Sequence, residues 1–412
     1  MEKSINIYLD QKDYSCIARG IYGEESYKPY IAIYDFLKNL SDFGRIKIYF
    51  SWTHIIESLR YHDLTSELWK IHCNVVDTLT KGNCIIFPEY LEERELELFL
   101  SDHFGIESQY SKSSYAFGFY KDAVPWKKIQ HIPISEYFED AIKKHISGLV
   151  LSRNNRRLFL KKVTNKKYLR QLFSSMSEDD FRCLVRKEEG ADQANAFISD
   201  LCSFLDRETF INFVVGTTNY RTHIFNNFID CIFNFNTLVN RYSQIFPELR
   251  QMAQFPDKTF EKLSSMINSA KLIQNILSKP AIDPDQLKAD LINKFAASLK
   301  PSINDFAKKH NFSKKEAESI RIESHLISIP SIHSTILFGV EYTKRHVGVT
   351  KRARNPRKSD VMDLYNLRNL PYVDLFVTDS FFADIAQRIA KAEFGTTIFK
   401  NLFQVKEYLE NN

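Results

Sequence analysis

Five acidic residues stand where a carboxylate can do chemistry: Asp10, Glu57, Asp360, Asp363 and Asp379. Asp10 follows the apolar run 5–9 (INIYL), and Asp379 follows 373–378 (VDLFVT). Glu57 falls in a helical stretch just after 46–50 (IKIYF), while Asp360 and Asp363, three apart, share one face of another helix. In open parallel sheets the functional crevice lies beyond the carboxyl ends of the strands, so acids following strands converge on one edge. Carboxylates gathered there repel one another and raise each other's pKa unless a cation neutralises them. Hard oxygen ligands with open positions suit Mg²⁺ or Mn²⁺, and such centres serve phosphoryl chemistry.

Each acid alone also has an ordinary structural use. Asp10, Asp360 and Asp379 are good helix N-caps, Asp363 complements a helix dipole, and Glu57 suits a solvated helical position. His54, three residues before Glu57, suits packing or the surface better than metal ligation. Asp374 is the weakest candidate, because strand alternation turns it away from Asp379's neighbours. The joint pattern, and no single member, points to a site.

The elements that must position these acids are legible as alternating signals. The β-branched runs 5–9, 46–50, 84–87 and 373–378 read as strands, with a small strand at 396–399. Between them, 15–19, 30–40, 53–59 (with Thr53 able to cap), 64–80, 361–367, 381–393 and 402–409 carry helical spacing. Strands alternating with helices imply a parallel sheet covered by helices. After a charged helix at 89–103 the strand signal nearly vanishes. Helices are expected at 136–146, 167–176, 194–205, 225–246, 259–277, 285–299 and 314–327, with Pro247, Pro256, Pro280, Pro284, Pro301 and Pro330 between segments. The expected architecture is therefore α/β: residues 1–120 and 341–412 form one sheet domain, and 121–340 a mainly helical insertion. A contiguous seventy-residue tail with two strands would have little core of its own.

Composition narrows the class further. Among 412 residues, 44% hydrophobic and 26% charged describe a folding chain, which excludes wholesale disorder. Only 12 Gly and 12 Pro, against roughly 29 and 21 at average usage, favour helix over turn-rich β structure. Six cysteines without a CxxC pair suit reduced core thiols and fit neither a zinc knuckle nor a disulfide framework. The first residues lack a basic start and apolar stretch, and no window nears 18 apolar residues, so a cytoplasmic protein without a membrane partner is expected. No phosphate loop, dinucleotide fingerprint, HExxH or GxSxG motif is present.

The ordered acids resemble the motifs of the PIN-like nucleases. The segments IYLDQKDYSCIARG, WTHIIESL and SDVMDLYNLRNLPYVDLFVTDSFFADIAQR match that family's acidic motifs in order, and the closing strand and helix match too. The resemblance covers about 170 residues at the two chain ends and leaves the helical middle unmatched. It implies that Asp10, Glu57, Asp360 and Asp379 are the acidic quartet holding divalent metal, with Asp363 an auxiliary acid and Thr378 a hydroxyl behind the metal or facing substrate. Either Asp360 or Asp363 fits the inner position. The activity implied is metal-dependent phosphodiester hydrolysis, most often of RNA, leaving a 3′-hydroxyl and a 5′-phosphate. Toxin-like or phage-defence roles, with an inhibitory or regulatory protein partner, belong to the same expectation.

A net charge of +5 does not announce nucleic-acid binding, but local clustering does. Lys344, Arg345, Lys351, Arg352, Arg354, Arg357 and Lys358 place seven cations in fifteen residues immediately before Asp360, a natural backbone-phosphate contact. A second basic cluster spans 153–170. Tyr110, Tyr115, Phe117, Phe119 and Tyr120 are aromatics able to stack bases, although core packing suits most of them. The reading from another class is a non-catalytic nucleic-acid or protein-binding scaffold on the same fold.

Overall fold

The structure, a computed structural model, describes residues 4–60, 66–126, 166–175, 177, 234–242, 247–277, 283–347 and 355–411. The chain divides into two compact units. One comprises Met1–Pro125, Asn234–Asn240 and Leu249–Asn412, the other Trp126–Phe233 and Arg241–Glu248. The sheet and every acid named above lie in the first.

Its centre is a four-stranded parallel sheet of β1 (Ile5–Tyr8), β2 (Ile46–Tyr49), β5 (Leu375–Val377) and β6 (Thr397–Phe399), in the order β2-β1-β5-β6. Ile5 pairs with Ile46, Ile7 with Leu375, and Leu375 with Thr397, so the two ends of the chain share one sheet. A short β3 (Cys84–Ile85) joins beyond β2, the Ile85 amide donating to the Phe50 carbonyl at 2.8 Å. It pairs antiparallel with β4 (Phe117–Gly118). The expected α/β class with a parallel sheet is what the structure contains. Ile7, Tyr8, Ile48, Leu375, Phe376 and Val377 are almost fully buried, as strands covered on both faces require.

Helices α1 (Gln11–Tyr22) and α2 (Pro29–Asp42) connect β1 to β2. Helices α3 (Trp52–Leu59) and α4 (Glu67–Thr80) lead on to β3, and α5 (Pro88–Phe104) follows it. Gly23, at φ 105°, ends α1. Gly20 one turn earlier is required by contact: a Cβ there would lie 2.5 Å from the Tyr27 carbonyl oxygen, so only glycine lets the following turn fold back.

Further along come α6 (Lys166–Ser175) in the second unit, and then α7 (Pro247–Met252), α8 (Phe255–Leu277), α9 (Pro284–Lys309), α10 (Lys314–Ser319) and α11 (Pro330–Val347). The last helices are α12 (Ser359–Asn366), α13 (Ser380–Phe394) between β5 and β6, and α14 (Leu402–Asn411). Pro247, Pro284 and Pro330 each open a helix, where the missing N–H costs nothing. Pro301 corrects the expectation that proline separates segments: it lies inside α9. The helix continues because Ala296, Leu299, Ile303 and Phe306, on both sides of it, bury one continuous face with Leu96, Leu100, Ile332 and Ile336. That burial offsets a proline cost of about 3 kcal/mol. The expected helices at 136–146 and 194–205 lie outside the described residues.

The core that backs the sheet gathers Tyr8, Phe376, Phe338, Tyr342, Phe382, Leu367 and Leu370. Tyr8 stacks on Phe376 with ring centroids 4.8 Å apart. Helix α11 packs on α13 and the 367–372 turn, and α8 packs on α11 and α12. Cys16, Cys73 and Cys84 are free thiols, as expected; the other three cysteines lie outside the described residues.

Candidate active site

Two strand ends and two helices bring four of the five acids to one cleft. A cavity of about 680 Å³ is lined by Asp10, Glu57, Asp363 and Asp379, together with Lys12, Arg19, Arg60 and Lys358. Asp10 leaves β1 and caps α1, its Oδ1 accepting from the Lys12 amide at 3.3 Å. Asp379 leaves β5 and caps α13, its Oδ1 accepting from the Phe382 amide at 2.8 Å. Capping and facing the cleft are compatible, because a cap uses one carboxylate oxygen and leaves the other outward. Glu57 comes from α3 and Asp363 from α12.

Asp360 takes a different place. Fully buried, it does not line the cavity; its Oδ2 accepts from the Tyr342 hydroxyl at 2.9 Å and the Arg357 amide at 3.0 Å, and the His346 ring lies 4.0 Å away. It ties the start of α12 to α11, and so fixes the helix that presents Asp363. Thr378 is buried behind Asp379, its amide donating to the Phe399 carbonyl at 3.1 Å, and it too is not a wall of the cavity.

The electrostatics of the cleft are those of crowded, poorly solvated acids. Burial, then repulsion from Asp10, pushes Glu57 up to about 8. Asp363 lies well above the usual carboxylate range through burial, then the charges of Asp10, Asp379, Glu57 and Asp360. Asp10 is also raised by burial and by Asp379, although Lys12, 3.5 Å from its Oδ2, opposes the rise. Asp13, whose carboxylate accepts from the Asp10 amide at 3.1 Å, reaches about 8 through burial and Asp10. Glu57 Oε2 is buried and has no hydrogen-bond partner among the described residues. A buried carboxylate oxygen without a donor is costly unless something absent from the chain satisfies it.

This donor set has the chemistry of a hard-cation site: oxygen only, anionic, and open on one side to the cleft. It is not drawn in, since among the described residues no three His, Cys, Asp or Glu side chains are gathered closely enough to enclose a metal ion.

Beneath the acids lies a buried polar network. The Tyr8 hydroxyl donates to Asn366 Oδ1 at 2.7 Å and meets Ser51 Oγ at 2.8 Å and Thr53 Oγ1 at 2.9 Å. Thr53 Oγ1 also donates to Asn366 Oδ1. The His54 Nδ1 accepts from the Ser51 amide at 3.0 Å, which leaves Nε2 to donate to the Leu9 carbonyl at 2.9 Å. Burial lowers His54 to about 4, so the ring is a neutral strut, in line with its expected packing role. Ser51, in extended conformation, is the N-cap of α3, which corrects the assignment of that role to Thr53. The network joins β1, α3 and α12, the elements that carry Asp10, Glu57 and Asp363.

Of the seven cations expected to meet phosphate, Lys358 lines the cleft. Lys344 and Arg345 lie in the last turn of α11, with Arg345 3.5 Å from Glu341. Arg357 is exposed beside α12, and Lys351, Arg352 and Arg354 lie outside the described residues. Tyr115, Phe117 and Tyr120 pack on Tyr372, Tyr49 and Phe50, Tyr110 lies under Arg94, and Phe119 is exposed.

Sequence reasoning missed the cations of α1. Lys12, Ser15, Cys16 and Arg19 line the cleft together, and their i, i+3, i+4, i+7 spacing on the helix just after Asp10 is the signal that could have found them. Arg60, three residues past Glu57, was missed in the same way. Among the described residues no helix is long and apolar enough to cross a membrane.

Compared with protein-family models, curated proteins and solved structures, the chain gives no match to any of them.

Proposed function

We propose that the chain is a divalent-metal-dependent nuclease of PIN-like kind, acting on RNA in preference to DNA. One observation carries this reading: four carboxylates from β1, α3, α12 and β5 line one cleft beside four cations, and one of them keeps a buried oxygen without a donor. Acids alone would repel a polyanion, and cations alone would bind without cutting it. The combination suits a phosphodiester held by its charge beside acids that bind a cation.

Asp10, Glu57, Asp363 and Asp379 would hold Mg²⁺ or Mn²⁺, with Asp360 positioning α12 behind them. A bound divalent ion supplies a lowered pKa for water and a counter-charge for the leaving oxygen. The chain's own residues do the remainder. Lys12 steadies Asp10 from the rim. Asp10, Glu57 and Asp363, whose proton affinity is raised by burial and then by one another's charge, would give up their protons on taking up a cation. The network under Tyr8 keeps the three elements in register.

The second reading, a non-catalytic nucleic-acid or protein-binding scaffold, is favoured by one observation, the absence of a closed metal cluster among the described residues. The deciding experiment is cleavage of labelled single-stranded RNA, structured RNA and DNA with Mn²⁺, Mg²⁺ or EDTA, for the unaltered protein and D10N. Metal-dependent cleavage lost in D10N supports the nuclease and names its polymer. Binding that persists in EDTA with no cleavage of any polymer supports the scaffold.

A further inference from the structure

Two cations on the cleft wall converge on a single oxygen. Arg60 Nη2 lies 3.0 Å and Lys358 Nζ 3.6 Å from Oδ1 of Asp257, which stands in the first turn of α8. Arg60 follows Glu57 by three residues at the end of α3, and Lys358 precedes Asp363 by five at the start of α12. Both line the cavity that the acids line, whereas Asp257 does not. The cationic heads are thus held close together by a shared counter-ion, on residues that line the cleft.

We propose that Arg60 and Lys358 form a clamp for one backbone phosphate of the substrate, next to the linkage that meets the acids. The inference rests on the nuclease reading and adds the residues that seat the polymer. Two cations this close repel each other, and Asp257 offsets that repulsion without filling the cleft. The three side chains sum to a single positive charge, which matches the one negative charge of a phosphodiester. A terminal phosphomonoester carries roughly 1.5 to 2 negative charges near neutral pH and is matched less well. The clamp therefore favours an internal phosphodiester of a chain over a terminal phosphate. The guanidinium presents a planar fork and the ammonium a point charge, the pair of donors that phosphate oxygens accept.

The test is fluorescence-anisotropy binding of end-labelled 12-nucleotide RNA and DNA strands in EDTA, across a salt series, with R60Q, K358Q and D257N. All three side chains are more than a third exposed, so the fold tolerates the changes, and melting temperature verifies it. R60Q and K358Q are each expected to weaken binding about five- to tenfold near 0.1 M salt and to reduce the log–log salt slope by about 0.7. D257N keeps an amide oxygen for Arg60 while removing a competing negative charge, and is expected to tighten binding two- to threefold at low salt. RNA and DNA affected alike identify the shared phosphodiester as the contact. Unchanged affinity and slope in R60Q and K358Q, in a protein that still binds and cleaves, overturn the clamp alone. D257N binding more weakly than the unaltered protein overturns it as well. No binding by the unaltered protein overturns the nuclease reading together with the clamp.

Discussion

Glu57 and Glu95 are both glutamates on helices with buried carboxylate oxygens, yet the protein treats them in opposite ways. Glu95, on α5, accepts from the Ser331 amide at 3.2 Å, the Ser331 hydroxyl at 2.5 Å, the Tyr115 hydroxyl at 3.3 Å and the Tyr372 hydroxyl. Burial raises it to about 7 while those donors pull it down, and it closes the N-terminus of α11 as a hydrogen-bond acceptor. Glu57 has one oxygen with no donor among the described residues and rises to about 8 through burial and Asp10. A carboxylate that the chain satisfies is architecture; one that the chain crowds and leaves short of donors is the kind that the proposed cation would satisfy. Pockets tell the same story, since Glu95 also borders a cavity, of about 490 Å³, yet aims its oxygens at the protein.

The comparison would break most visibly in catalysis. D10N and D379N keep their caps, because Asn caps a helix as well as Asp, and are expected to lose at least about a thousandfold of metal-dependent cleavage with melting temperature unchanged or raised. Cleavage retained in both would reduce the cleft acids to caps. The converse variant is E95Q, which turns one acceptor into a donor facing donors. It is expected to cost about 2–3 kcal/mol in urea unfolding while the specific activity of the folded fraction is kept. Stability unaffected by E95Q would remove the distinction between the two glutamates.

The pH dependence sharpens it. Glu57 and Asp13 bind protons more tightly folded than unfolded, so stability attributable to them is present near pH 5 and is lost as pH rises toward about 8. Melting curves from pH 5 to 8.5 in EDTA should show that decline, and E57Q should flatten it. Mn²⁺ should offset the decline, raising the melting temperature more at pH 8 than at pH 6; equal shifts at both would argue against cation binding by these acids. The smallest effect is expected from Y8F. Loss of the hydroxyl that joins Ser51, Thr53 and Asn366 should cost about 1–2 kcal/mol and lower cleavage only in part, a loss of alignment without loss of a ligand.

Much of this arrangement is legible in the residues. The apolar runs before Asp10 and Asp379 locate two adjacent parallel strands, and strand ends gather acids at one edge whatever the details. What spacing does not decide is which of Asp360 and Asp363 faces the cleft. Both lie on one helical face, and the Tyr342 hydroxyl arriving from α11, with the Arg357 amide, holds Asp360 inward. Pro301 was misread for a related reason, since burial on either side of it outweighs its local preference. Asp257 had no signal at all: its importance comes from α8 packing on α12, a contact made across a hundred residues of chain.

One last consequence follows from Ile7 pairing with Leu375. During synthesis the first strand and its aspartate leave the ribosome hundreds of residues before β5, α12 and their carboxylates exist. Until then β1 has one edge unpaired and the cleft has no far wall. At elongation rates of about 5–20 residues per second, some twenty to seventy seconds separate the two halves. The acids of the cleft therefore come together only once residues 359–379 have been made, more than three hundred residues after Asp10.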